Sequence, residues 1–126
     1  MLYIYTDGSC LANGSDDAVG GFGVLVLDKD EKIVYNYYSE EKKGQKGERV
    51  TNNRCELKAI LHSFLKFGLK EDLCFIAGTP IIYSDSSYCI NTFTNWMFTW
   101  AANGWKRPNG AIPDNLDLIK AFYDHW

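Results

Sequence analysis

Three acidic residues of this 126-residue chain, Asp7, Glu56 and Asp85, have spacings that suit joint chemistry. Asp7 follows Leu2 to Thr6, a short β-branched and aromatic run that reads as a strand ending at Asp7-Gly8-Ser9, a turn signal. Asp85 follows a second such run, Pro80 to Ser84, and Glu56 opens a helix between the two. If that helix packs on a sheet, the two strands are parallel neighbours. Their carboxyl ends then share the edge where open α/β sheets bind ligands. Glu56, in the helix's first turn, can face the same edge. Carboxylates gathered at one point stay ionised together only around a cation. All-oxygen donors suit Mg²⁺ or Mn²⁺ better than zinc. Such an ion suits phosphodiester cleavage, because it polarises the phosphoryl oxygen and lowers the pKa of a bound water. Each acid also has a plain structural reading: Asp7-Gly8 as a turn, Glu56 as a helix cap, Asp85-Ser86 as an N-cap. Convergence of all three separates the two accounts.

The elements that must position these acids are legible from periodicity. Gly20 to Leu27 and Ile33 to Glu40 read as an antiparallel hairpin across Asp28-Lys29-Asp30, after a polar loop at Asn13 to Asp17. Residues 41 to 50 read as a charged loop. Leu57, Ile60, Leu61, Phe64 and Leu65 form one apolar helical face. Asn53 fits its N-cap with Glu56 at N3, and Gly68 fits its C-terminal stop. A helix, in one piece or two, is expected from about Ser87 to Ala102, ending at Asn103-Gly104. A loop follows, and Asp114 is expected to cap a last helix with an apolar stripe of Leu118, Ile119, Phe122, Tyr123 and Trp126. The order βββαβαα predicts an α/β mixed sheet, a three-stranded antiparallel meander plus a parallel strand in the order 3-2-1-4, with packed helices.

Composition narrows the classes. The length suits one domain, 1–126, and 46% apolar with 23% charged residues is a folded balance. No apolar run approaches the roughly 20 residues of a membrane span. Met1 leads directly into Leu-Tyr-Ile-Tyr, unlike a signal peptide, so a cytoplasmic address is expected. The four cysteines are scattered without C-x-x-C spacing, which speaks against zinc and for reduced thiols. A net charge of −3 argues against a simple electrostatic DNA binder. From Lys42 to Lys58, however, six basic residues face two acidic ones, a local balance of 6 − 2 = +4.

Tyr5-Thr6-Asp7-Gly8-Ser9-Cys10 resembles the opening active-site motif of type 1 ribonuclease H. Thr51-Asn52-Asn53-Arg54-Cys55-Glu56-Leu57 resembles that family's T-N-N-x-x-E-L helix start, and Tyr83-Ser84-Asp85-Ser86-Ser87-Tyr88 its D-S-x-Y motif. Trp96, Trp100 and Asn103-Gly104-Trp105 are similar to the W-x-x-x-W-x-x-x-G-W helix of bacterial members. The resemblance implies an endonuclease that hydrolyses the RNA strand of RNA–DNA hybrids with Mg²⁺, Mn²⁺ substituting. It implies Asp7, Glu56 and Asp85 as catalytic, and Asp7, Gly8, Glu56 and Asp85 as the metal site. By the same resemblance Asn13, Asn52 and Ser86 contact the RNA strand, Thr51 and Asn53 hold the DNA phosphate, and Trp96 packs on the DNA sugar. Short amides suit this work, since they both donate to and accept from a 2′-hydroxyl. The structural alternatives are capping for the asparagines and core packing for the tryptophans, the latter favoured for Trp100 and Trp105.

The chain departs from the family in two places. The stretch Met97 to Asn103 lacks the basic residues common in bacterial relatives, with Lys106 and Arg107 just beyond it. The family also continues with a fifth strand, a His-bearing loop and a final helix carrying a fourth acid, where this sequence ends at Trp126. No residue is assigned to that acid, and His125 does not fit the loop histidine. Two alternatives follow: a catalytically weak or inactive hybrid-binding module, or another nuclease of the same superfamily. An exposed fourth strand also predicts a homodimer through that edge or an altered last helix.

Overall fold

The structure, a computed structural model, describes residues 2–11, 18–41, 50–68 and 81–125. Asn13, the loop residues 42–49, the stretch 69–80 and Trp126 lie outside the described residues. Strands β1 (Tyr3–Leu11), β2 (Val19–Leu27) and β3 (Ile33–Glu41) form the meander. Strand β4 (Ile81–Tyr83) adds parallel to β1, which makes the order β3-β2-β1-β4 as expected.

β1 runs farther than its sequence suggests. It does not turn at Asp7-Gly8-Ser9 but stays paired through Leu11, with Asp7 opposite Gly23, Gly8 opposite Phe22 and Ser9 opposite Gly21. Gly8 has no positive φ. Its missing side chain serves close approach instead, since a Cβ there would lie 2.6 Å from the Glu56 backbone nitrogen. Asp7 therefore sits within the strand, pressed toward the helix start.

Helix α1 (Asn52–Ser63) continues as a π-helical turn, Phe64–Gly68. Its N-cap is Thr51 rather than Asn53: Thr51 is extended, and its Oγ1 accepts the Arg54 N–H at 3.0 Å. Arg54 thus stands at N3, and Glu56 moves to the fifth helical position, in the second turn. Leu57 and Ile60 are buried as predicted, but Leu65 is exposed and Phe67 is buried in its place. The wider π turn shifts the phase of the stripe.

The core has two sides, with α1 between them. Ile4, Val24, Val26 and Phe22, alternating inward from the sheet, pack on Ala59 and Phe67. Leu57 and Ile60 pack on Cys89, Phe93, Met97, Trp100, Ile119 and Phe122 from the remaining helices. Those helices are α2 (Ser87–Asn91), a π turn (Thr92–Trp96) leading into α3 (Met97–Ala102), and α4 (Leu116–Asp124). Asp114 does not cap α4. Asn115 takes that place in the left-handed region, φ 60°, a conformation Asn tolerates. Its side chain is drawn away, accepting from Arg54 and donating to the Tyr88 hydroxyl. No helix among the described residues is long and apolar enough to cross a membrane.

Candidate active site

Parallel pairing of β1 with β4 sets Tyr5 beside Tyr83, and the Thr6 hydroxyl donates to the Tyr83 carbonyl at 2.8 Å. Two residues past β4, Asp85 comes level with Asp7. Glu56 arrives from α1 across the Gly8 contact. One ligand atom from each of Asp7, Glu56 and Asp85 lies within 4.8 Å of the others. These acids form the predicted cluster, with Gly8 beside it.

The electrostatics of this cluster are unbalanced. Asp7 and Asp85 are exposed, while Glu56 is only 9% exposed. Burial pushes the Glu56 carboxyl up to about 7, the Gly8 N–H opposes the shift, and Asp85 and Asp7 add to it. Glu56 Oε2 is buried with no hydrogen-bond partner among the described residues. An acceptor left in that state costs free energy unless something fills the place. A divalent cation fits this donor set: three hard oxygen ligands, one orphaned, in a group whose mutual repulsion a positive charge relieves.

The other predicted residues divide by location. Ser86 follows Asp85 and caps α2, its Oγ accepting the Cys89 N–H. Thr51, Asn52 and Asn53 stand at the α1 N-terminus, with both asparagines exposed. Trp96 lies apart on the π turn, 36% exposed, against Tyr88 and Trp100. Trp100 is core and Trp105 partly so, as expected.

Sequence reasoning missed a strut. The Arg54 guanidinium grips both Asp117 oxygens and touches Asn115 Oδ1, tying the α1 start to α4. Asp117 is held below the usual carboxylate range, first by that bond. The partners lie 63 residues apart, so no local pattern announces them. Lys58 pairs with Glu41. Arg54 and Lys58, two of the six basic residues from Lys42 to Lys58, thus serve ion pairs within the fold.

Comparison with known proteins follows the same line. The sequence model of the RNase H family matches residues 1–125. Ribonuclease H of Actinobacillus succinogenes is 39% identical over 119 residues, covering 94% of this chain and 65% of that protein. Ribonuclease HI of Haemophilus ducreyi is 36% identical over 131 residues, covering 98% of this chain and 73% of that protein. The chain therefore spans about two thirds of the length of such relatives. A foamy viral protease-reverse transcriptase solved with an RNA/DNA hybrid shares the fold, with a TM-score of 0.78 at 17% identity, over 98% of this chain and 15% of that one. With the three motifs, the sheet order and the carboxylate cluster in agreement, this chain belongs to the RNase H family, type 1.

Proposed function

We propose that this chain hydrolyses the RNA strand of RNA–DNA hybrids in a reaction that depends on divalent metal, Mg²⁺ foremost. The observation that carries the reading is the approach of Asp7, Glu56 and Asp85 within 4.8 Å. Glu56, largely buried, and the exposed Asp7 and Asp85 would together hold the ion, next to a surface open to a phosphodiester. When bound, the ion polarises the phosphoryl oxygen and makes water a better nucleophile. Water attacks the RNA phosphodiester in line, leaving 5′-phosphate and 3′-hydroxyl ends.

The neighbouring side chains supply recognition. Ser86 accepts one backbone N–H as a cap, and a hydroxyl that accepts can still donate. It is therefore suited to an RNA 2′-hydroxyl, together with Asn52 and Asn13. Thr51, capping α1 in the same way, contacts the DNA phosphate with Asn53. Trp96 offers its exposed face to a DNA sugar. A cytoplasmic address, and a second copy paired along the β4 edge, go with this reading. A mass in scattering that stays monomeric at every concentration would remove the pairing.

The test is a labelled hybrid incubated with Mg²⁺ or Mn²⁺, comparing wild type with Asp7→Asn. Cutting by the wild type and not by the variant is expected, and equal cutting removes the assignment. A second reading, a hybrid-binding module with little turnover, is favoured by the cluster's three members, since no fourth acid joins them among the described residues. Preferential binding of hybrid over duplex DNA without cleavage would select it.

A further inference from the structure

The arginine of the T-N-N motif and the tyrosine of the D-S-x-Y motif have no role in the proposed reaction, yet they meet on one side chain. Arg54 stands in the first turn of α1, between the Thr51 cap and Glu56. Tyr88 stands in the first turn of α2, just past Asp85 and the Ser86 cap. Asn115 links them. Its Oδ1 accepts from the Arg54 guanidinium at 3.4 Å, and its Nδ2 donates to the Tyr88 hydroxyl at 3.3 Å. Both partners are braced: Asp117 grips the guanidinium from α4, and the Tyr88 ring meets Trp96 edge-on. Asn115 also starts α4, where its carbonyl accepts the Leu118 and Ile119 N–H groups. An asparagine in that place ordinarily turns its side chain onto its own helix. This one makes no such bond. Its backbone is left-handed, φ 60° and ψ 27°, a conformation glycine adopts at less cost. What the amide adds is therefore its pair of bonds to the two other helices.

We infer that Asn115 is a positioning residue: it fixes the N-termini of α1 and α2 against each other, and with them Glu56 and Asn52 against Asp85 and Ser86. This rests on the hybrid reading proposed above. Deeper in the fold the two helices share an apolar cluster through Leu57, Ile60 and Cys89. Apolar contact resists separation but has little directionality. Two hydrogen bonds from one planar amide set direction as well as distance. The metal cluster needs both, because its ligands come from two helix starts and a strand, and a displacement of about 1 Å can cost roughly a hundredfold in rate. Asn115 acts only through Arg54 and Tyr88 and takes no part in the bond cleavage.

The experiment compares wild type, Asn115→Gly, Asn115→Asp and Tyr88→Phe, each with a labelled hybrid and Mg²⁺ and each titrated with Mg²⁺ alone by calorimetry. Asn115→Gly keeps the left-handed turn and removes the bridge, so its melting temperature should stay within about 5 °C of wild type. Its kcat should fall about tenfold with KM within about twofold, and its Mg²⁺ affinity should fall about threefold. Tyr88→Phe, which cuts one of the two bonds, should lose about threefold in kcat and reports independently of the turn. Asn115→Asp should recover most of the loss. Aspartate tolerates the left-handed region, and its two oxygens can accept from Arg54 and from the Tyr88 O–H, which reverses the second bond. Adding Tyr88→Phe to Asn115→Asp should return kcat to the level of Tyr88→Phe alone. Wild-type kcat and Mg²⁺ affinity in both Asn115→Gly and Tyr88→Phe, or equal losses in Asn115→Gly and Asn115→Asp, overturn the inference alone. In a wild type that takes up Mg²⁺ without cutting, the Mg²⁺ titrations decide it. A wild type that neither cuts the hybrid nor takes up Mg²⁺ overturns the parent reading and this inference with it.

Discussion

Glu56 and His62 lie on the same helix, and burial disfavours the charged form of each: it raises the Glu56 carboxyl to about 7 and lowers the His62 imidazole. Their surroundings differ. The Tyr35 hydroxyl and His62 Nε2 are 2.8 Å apart, and the imidazole stacks on the Tyr37 ring at 4.2 Å. Lys66, which also lowers the His62 pKa, sits over the Tyr35 ring. Every feature of that cluster is accounted for by α1 locking onto β3. Glu56 has two acids for neighbours and an oxygen with no partner among the described residues. A perturbed pKa alone does not mark function. What separates the two regions is whether the surroundings satisfy the perturbed group or leave it wanting a ligand.

Several substitutions can break that contrast. The largest effect should come from Glu56→Gln assayed on a hybrid with Mg²⁺, which should lose about a thousandfold in turnover, a loss of several kcal/mol of transition-state stabilisation. His62→Gln should stay within about twofold in the same assay, since it touches neither ion nor substrate. Comparable losses in both would erase the distinction.

The same Glu56→Gln variant should be more stable than wild type in EDTA at mildly alkaline pH. The folded carboxyl titrates near 7 and the unfolded one near 4.5, so between those values the folded state keeps a proton that the unfolded state has released. Wild-type stability therefore falls as pH rises through that window, and Gln removes the fall. The gain should be on the order of 2–3 kcal/mol above pH 7 and vanish below about pH 4.5. Denaturant melts at both pH values measure it, and equal stabilities throughout would contradict the buried, unmatched carboxylate.

Adding Mg²⁺ at about ten times its dissociation constant should stabilise the wild type by about 1.4 kcal/mol and leave Glu56→Gln much less changed. Thermal melts with and without the ion read this, and an equal shift in both proteins would place the ion elsewhere. Arg54→Ala should cost about 1 kcal/mol by removing the strut to Asp117, at the low end for a charged pair because Asp117 is half exposed. The smallest effect belongs to His62. Its lowered pKa means that the unfolded state takes up a proton first on acidification. Stability should therefore fall as pH drops from roughly 7 to 5, and less steeply in His62→Gln.

Much of this was readable before any coordinates. The β2–β3 hairpin, the helical stripe of Leu57 and Ile60, and the continuous run from Ser87 to Ala102 all follow from periods of 2 and 3.6, which short stretches of chain encode. The three acids were identified from their places after strands and in a helix start, and the cluster they form is the one observed. Less legible was why they meet. Asp7-Gly8-Ser9 has turn composition, yet it stays in the strand because Gly21 and Gly23 face it across β2 and α1 presses on Gly8. The local signal was genuine and was outweighed by packing.

By itself, then, the sequence determined the elements, their order and the residue types at the acidic centre, because each depends on neighbours a few positions away. Only the tertiary structure decided that Thr51 and not Asn53 caps α1, and that Arg54 belongs to Asp117. It also decided that Asn115 abandons its helix to bridge Arg54 and Tyr88. The contacts of Arg54 with Asp117 and Asn115 and of Asn115 with Tyr88 join groups 63, 61 and 27 residues apart. Their free energies arise from burial and from donors matched to acceptors across the fold, which no window along the chain contains.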